Sequence, residues 1–479
     1  MLMPPNAKPS LLIGGVWRGA DASMAVENPY NGAVIAHVAC ATEADVADAI
    51  ASGLRGQRDM ARLSTGARAA ILHRAADALA ADGARFAAMI TAETGKTIRA
   101  ATKEAARAVN TLRLSAEEAT RLNGETIAFD SFAGGEQRSG FYAYEPVGLI
   151  AAITPFNDPL NLACHKLGPA FAAGNAVVLK PADQAPLTAI MLAELLLDAG
   201  LPPEALNLLT GYGRDFGGAL VGSDDVAMVS FTGGARVGAE IARTAGIKRI
   251  GMELGANSPV IVAADADLEK AAAACVSGAF WAAGQNCIGV QRIFVHRAIY
   301  AAFRDLMVAA AAALVVGDPM LPETDIGPMI GRSEAERMAR WTAEAVAAGA
   351  ALCTGGHREG AVFHPTIFEQ VPGDARIVAD EAFGPVVSLF VYDDLDDAIA
   401  AANEAPYAIH AAIFTASIND AHHAARALQA AGVMINDSTD YRLDAMPFGG
   451  ARRGNMGREG VRFAIREMSQ TKVVCFNHG

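Results

Sequence analysis

Residues 147–181, VGLIAAITPFNDPLNLACHKLGPAFAAGNAVVLKP, decide the fold. Val147 to Thr154 is an unbroken apolar run. Leu160 to Ala173 has helical length and stops at Gly174-Asn175, and Ala176 to Lys180 is a second apolar run. Strands buried on both faces read as continuous apolar stretches, not alternating ones. The pattern continues with Pro186 to Ala199 as helix, Ala205 to Leu209 as strand, Phe216 to Val221 as helix, Met228 to Thr232 as strand, Val237 to Ala245 as helix and Arg249 to Glu253 as strand. Such alternation predicts a parallel sheet covered on both faces, with ligands at the carboxyl ends of its strands.

Working outward, Ile13 to Trp17 reads as a short strand. Ala44 to Ile50 and Gly66 to Met89 read as helices, and Thr97 to Leu122 as a long helix after Thr94-Gly95-Lys96. Glu125 to Tyr144, with Gly134-Gly135 between alternating residues, reads as a hairpin leaving the body, and Gln470 to Phe476 is a strand able to pair with it. From Pro259 a second series of strands (Ile293 to His296, Phe363 to Phe368, Val386 to Tyr392, Ala411 to Thr415) alternates with helices. The expected division is a first α/β domain over 1–125 and 147–255, a second over 256–460, and an arm over 126–146 and 461–479.

Composition limits the function. A chain of 479 residues needs more than one core, and 52% hydrophobic content is that of a globular protein. The net charge of −13 argues against a nucleic-acid partner, which needs a basic stripe. The apolar run Leu306 to Val316 falls short of the ~20 residues that span a bilayer, and Met1 to Ser10 is Pro-rich and polar, unlike a leader peptide. A soluble, cytoplasmic protein without a membrane partner is expected. Its six cysteines form no C-x-x-C pair and its ten histidines are scattered, so no metal site is expected.

Four side chains suggest chemistry. Cys287 stands in Gly284-Gln285-Asn286-Cys287-Ile288-Gly289, Glu253 ends a strand, Asn157 lies in Pro155-Phe156-Asn157-Asp158-Pro159, and Lys180 ends another strand. A thiolate can attack an aldehyde carbon, an amide and a backbone N–H can receive the oxyanion, and a carboxylate can activate the water that cleaves the resulting thioester. Alone, Cys287 is as well read as a small buried hydrophobe. Thr232-Gly233-Gly234-Ala235-Arg236-Val237-Gly238 follows a strand and opens a helix, which favours an anion without matching G-x-G-x-x-G. Lys180 and Asp183, at a strand's carboxyl end, can hold a ribose or simply pair at the surface.

The segments PFN (155–157), VLKPADQAP (178–186), FTGGARVG (231–238), MELGANSP (252–259), GQNC (284–287), EAFGPV (381–386) and MPFGG…GREG (446–460) together resemble the aldehyde dehydrogenase superfamily, in its order and spacing and over almost the whole chain. The resemblance implies a Rossmann-like cofactor domain, an α/β catalytic domain and a small β-hairpin oligomerisation arm. It implies Cys287 as nucleophile, Glu253 as general base and Asn157 as oxyanion donor. Around the cofactor it implies Thr154, Pro155 and Phe156; Lys180 and Asp183 at the adenosine ribose; Thr232, Gly233, Gly234 and Val237 beside the pyrophosphate; Glu381 at the nicotinamide ribose; and Phe383 at the nicotinamide. A homodimer or homotetramer is expected. Many members have Ser-Thr where Gly234-Ala235 stand here. An acid at Asp183 repels a 2′-phosphate, so NAD is expected, with NADP as the alternative.

Substrate positions implied by motif spacing are Asp158, His165, Asn286, Ile288, Arg442 and Phe448, with Lys103 and Arg107 candidates on a nearby helix. Basic groups there point to a small polar or anionic aldehyde, unless Arg442 pairs locally with Asp440 or Asp444. NDSTDYRLDAMPFGG resembles lactaldehyde and phosphonate-aldehyde dehydrogenases. Asn286 is not the basic residue that the latter carry before the cysteine. CoA-acylating and non-enzymatic relatives are the remaining alternatives. Glu253 argues against the first, and the intact catalytic and ribose-holding set against the second.

Overall fold

The computed structural model describes residues 11–453 and 456–479. The reading of Met1 to Ser10 lies outside the described residues. Two seven-stranded sheets dominate. In the first, strands run in the order Arg249–Glu253, Met228–Thr232, Leu149–Ile153, Ala176–Lys180, Leu206–Leu208, then the antiparallel hairpin Leu11–Ile13 and Val16–Arg18. The first five are parallel. After Leu149–Ile153 the chain builds one side of the sheet, and after Leu206–Leu208 it crosses to build the other. The crevice at the carboxyl end of Leu149–Ile153 is therefore a topological switch point, where open α/β sheets bind ligands.

The sequence explains this sheet locally. Ala176–Lys180 and the buried helix Asn161–Ala173 carry small and aliphatic side chains that bury on every face. Gly174, at φ +93°, ends the helix in the left-handed conformation that glycine tolerates best. The helix Leu187–Asp198 has Pro186 at its start and no Ser, Thr or Asp cap. The Glu93 carboxylate supplies the cap from a distant helix, accepting from Leu187 N at 2.8 Å and Thr188 N at 3.0 Å.

The second sheet runs Ala351–Thr354, Thr366–Glu369, Val386–Tyr392, Val290–His296, Ser258–Val262, His410–Phe414, Gly432–Ile435, parallel except for its first strand. A three-stranded antiparallel sheet forms the arm, in which Ser469–Asn477 pairs with Arg138–Pro146 over nine residues. The helix Val461–Glu467, grouped with the arm on sequence, instead sends Val461 and Ile465 into the core beneath the first sheet. The helix expected over Gly66 to Met89 is two, Thr65–Ala81 and Gly83–Thr94, broken at Asp82.

Candidate active site

Four parallel strands of the first sheet deliver their ends to one crevice. Register aligns Ile153 with Lys180 on one side and Phe231 on the other, and Thr232 with Glu253. Asn157 follows the strand at the switch point. Its Nδ2 donates to the Gln285 carbonyl at 3.0 Å, spanning 128 residues to the loop that carries Cys287.

That loop is held from several directions. Ala282, Ala283 and Gly284 have φ of 52°, 55° and 68°, a left-handed run that turns the chain sharply before the cysteine. A Cβ on Gly284 would lie 2.1 Å from the Gly384 carbonyl oxygen, so only glycine fits. Gln285 Oε1 accepts from Ile330 N at 2.8 Å. Asn286 Oδ1 accepts from Ile288 N at 3.2 Å, and Thr439 donates its hydroxyl to the Ile288 carbonyl at 2.7 Å. Ile288 packs with Phe448, Ala256 and Ile409 beside the half-buried Cys287. The Cys287 backbone N–H has no acceptor among the described residues.

Cys287 opens on a cavity of about 420 Å³ lined also by Asn157, Asp158, Asn286, Ile288, Arg442 and Phe448. Lys103 and Arg107 reach the same cavity. His165 does not. It is 1% exposed on the fully buried helix, with Nε2 3.0 Å from Asp444 Oδ1. This corrects its assignment to the substrate tunnel. Arg442 pairs with neither Asp440 nor Asp444, but with Glu459 at 3.0 Å, and its guanidinium lies 3.7 Å from the Phe448 ring centre. Asp158 and Arg107 are committed too, since Asp158 is ion-paired with Lys96 and Arg107, and Arg107 with Asp444 at 2.8 Å.

Electrostatics around the thiol are mixed. Burial pushes Cys287 up to about 12, and the Arg442 cation works against that. Glu253 is 5% exposed, and one of its carboxyl oxygens has no partner among the described residues. Burial, and then the neighbouring Glu459 charge, hold its carboxyl well above the ordinary range. Burial would raise Glu459 as well, but Lys166 and Arg442 overcome it and hold Glu459 at about 2. Lys166 bonds Glu459 at 3.2 Å and Ser230 at 3.2 Å. Two neighbouring carboxyls are thus driven apart, one tending to keep its proton and one staying ionised, as expected of an acid–base site.

Sequence reasoning did not single out Lys166 or Glu459. The available signals were a lysine in a fully buried helix and the glutamate of GREG, 293 residues apart. Nor did scatter in sequence reveal His357, Glu359 and His364, whose ligand atoms come within 4.8 Å on a surface hairpin. Arg292 is structural, tied to Asn257 and to the carbonyls of Ala401 and Ala402.

The crevice suits a dinucleotide. Gly234 starts the helix Ala235–Thr244 without a side-chain cap, and none of the described residues lies within 4 Å of where its Cβ would be, so an anionic group can approach the helix end. Gly233 N donates to the Glu253 carbonyl at 3.0 Å, Thr232 donates its hydroxyl to Glu459 at 3.3 Å, and Val237 is exposed on the first turn. Lys180 is ion-paired with Asp183 at the adjacent strand end, and Thr154 N donates to the Lys180 carbonyl at 3.1 Å. Phe156 meets Phe383 edge to face at 5.9 Å, with Pro155 half-buried beside Phe156. Glu381 accepts from Ala256 N at 3.1 Å, and burial raises its carboxyl to about 7. A Cβ on Gly255 would fall 1.9 Å from that carboxylate, so a side chain there would displace Glu381 from its place beside Ala256 N.

Comparison with known proteins agrees with this architecture. The sequence model of the Aldehyde dehydrogenase family matches residues 17–474. The chain is 52% identical over 452 residues to aspartate-semialdehyde dehydrogenase 1 of Pseudomonas canavaninivorans, covering 94% of this chain and 96% of that protein. It is 44% identical over 467 residues to the 3-sulfolactaldehyde dehydrogenase of Priestia aryabhattai, covering 98% of each. Its structure matches that of aldehyde dehydrogenase 21 from Physcomitrella patens, in complex with the reaction product succinate, at a TM-score of 0.96 and 35% identity over 99% of both chains. The chain belongs to the aldehyde dehydrogenase family and is an NAD(P)-dependent oxidoreductase.

Proposed function

We propose that the protein oxidises a small polar aldehyde with an anionic end to its carboxylic acid, through a covalent adduct on Cys287 hydrolysed with the help of Glu253. The observation that carries the reading is the convergence of Cys287, the Asn157 amide and the Arg442 cation on one cavity. The Cys287 thiol gives up its proton to water in the cavity, and the resulting thiolate bonds to the aldehyde carbon while the carbonyl π pair moves onto oxygen. Asn157 Nδ2 and the Cys287 N–H receive that oxyanion. NAD(P), when bound, accepts the hydride. Loss of the C–H bond leaves a thioester on Cys287. Glu253 takes a proton from water as the water attacks, the C–S bond breaks, and the thiolate is restored with release of the acid.

Several features support the finer points. Asp183 beside Lys180 disfavours a 2′-phosphate and so favours NAD. Arg442 and Arg107 on the cavity wall suit an anionic end, in keeping with relatives named for aspartate semialdehyde and sulfolactaldehyde. The arm's edge strand Ser469–Asn477, with Val473 and Phe476 exposed, suits pairing in a dimer or tetramer. Six free cysteines suit a cytoplasmic protein. The deciding experiment offers lactaldehyde, glycolaldehyde and succinic semialdehyde with each cofactor to the wild type and to Cys287→Ala. NADH should form only with the wild type, together with free acid. Turnover by the variant, or acyl-CoA in place of acid, refutes the mechanism.

A further inference from the structure

The charges on the cavity wall do not cancel. Glu104 and Asp158 are matched by Lys96 and Arg107. Asp440, Asp437 and Lys103 belong to the same wall and form no ion pair among the described residues, so the two carboxylates outnumber the one unpaired cation. Asp440 is half-buried and seated against the helix Leu268–Phe280. The absence of a side chain at Gly278 permits this seating, since a Cβ there would lie 2.2 Å from Ser438 Oγ and 3.3 Å from Asp440 Oδ1. Burial, and the Asp437 charge beside it, raise the Asp440 carboxyl, so a cation arriving there relieves the site.

The same cavity carries an independent sign of a ligand with the opposite charge. The side chain of Arg442 is 8% exposed, and its Nε–H is buried without an acceptor among the described residues. The Arg107 Nε–H likewise has none among the described residues. A buried donor left unpaired costs roughly 1–3 kcal/mol, a debt a bound anionic group can cancel.

Taken together, these features select among ligands. A neutral aldehyde leaves the two carboxylates and the buried Nε–H donors unmatched. A purely anionic aldehyde satisfies the guanidinium donors but meets repulsion from Asp437 and Asp440. A purely cationic one leaves the donors bare. We propose that the substrate is a short zwitterionic semialdehyde, its ammonium group held by Asp440 and Asp437 and its carboxylate or equivalent anion by Arg442. The proposal rests on the reading of Cys287 as the nucleophile of an aldehyde oxidation, and it assigns Asp440 and Asp437 as specificity-determining residues.

The test compares kcat/KM for L-aspartate 4-semialdehyde with that for succinic semialdehyde, the same chain without the ammonium group. Wild type should favour the amino compound by about tenfold or more, the effect of one retained charge contact. Asp440→Asn should reduce that ratio by about tenfold, and Asp437→Asn, at a more exposed position, should reduce it less. Arg442→Met should lower kcat/KM for both aldehydes. A purely structural role for Asp440 would lower both rates and leave the ratio unchanged, which overturns the proposal. So does a wild type that prefers succinic semialdehyde, or that oxidises only uncharged aldehydes such as lactaldehyde. That last result leaves the Cys287 mechanism standing, whereas turnover by Cys287→Ala removes the mechanism itself.

Discussion

Glu253→Gln should separate the two halves of the reaction. Glutamine keeps the volume and the buried position at the strand end, where Glu253 is 5% exposed, but it cannot take a proton. General-base assistance contributes about 10²–10⁴-fold, or roughly 2.7–5.4 kcal/mol of barrier, so thioester hydrolysis should slow by that factor. Formation of the adduct should not slow with it. Glu253 is one of the charges that raise the Cys287 thiol, and removing it eases ionisation of the nucleophile. Rapid mixing with excess aldehyde and NAD should therefore give a burst of NADH close to one per subunit, then a steady state slower by about 10²–10⁴-fold. The wild-type hydrolytic rate should climb with pH through a value above the ordinary carboxylate range, and the variant should lose that rise. The sign for stability follows. A carboxyl raised by burial binds its proton more tightly in the folded state, so the wild type loses stability as pH rises through the raised value, and Glu253→Gln should resist alkaline melting better. Parallel loss of burst and steady state would refute the assignment of Glu253 to the second half.

Asn157→Ala removes one oxyanion donor and should lower kcat/KM by about 10²–10³-fold. An equal loss in cofactor affinity, measured by titration, would point to a structural role instead. Lys166→Met leaves buried Glu459 with Arg442 as its remaining cation and should cost about 3 kcal/mol in urea unfolding at neutral pH. Because Glu459 is held at about 2, the stability from its pairing is present above the ordinary carboxylate value and is lost as pH falls toward that point. The gap between wild type and variant should therefore close in acid. Gly284→Ala forces a side chain into a φ of +68° and to 2.1 Å from the Gly384 oxygen, so NADH formation should be largely lost and the melting temperature lowered.

The strands of the first sheet were legible because both of their faces are buried. Leu149–Ile153 and Ala176–Lys180 announce themselves as apolar runs. Edge strands were harder. Ala351–Thr354 and Gly432–Ile435 are only four residues long and largely half-buried, so neither the length nor the alternation of their apolar residues marks them. The break at Asp82 was hidden because the apolar spacing runs across it. Within the site, the cysteine, the glutamate and the amide could be found because each stands in a short motif, and those motifs together resemble a known family in order and spacing. The charge network could not. Pairs such as Lys166–Glu459 and Arg107–Asp444 join residues roughly 300 apart, and periodicity carries no trace of them. For the same reason His165 looked like a tunnel residue until its partner Asp444 was found.

The bond from Asn157 to the Gln285 carbonyl has a stereochemical consequence. A carboxamide NH2 is planar, and one of its two hydrogens is committed to Gln285. The second hydrogen then has a single direction available. If it receives the oxyanion, the carbonyl oxygen has one place to go, and Cys287 meets one prochiral face of the aldehyde. A single epimer of the thiohemiacetal should form, its hydrogen facing the Phe156–Phe383 side of the crevice. The hand of the reaction is then fixed by a backbone carbonyl two residues before the nucleophile.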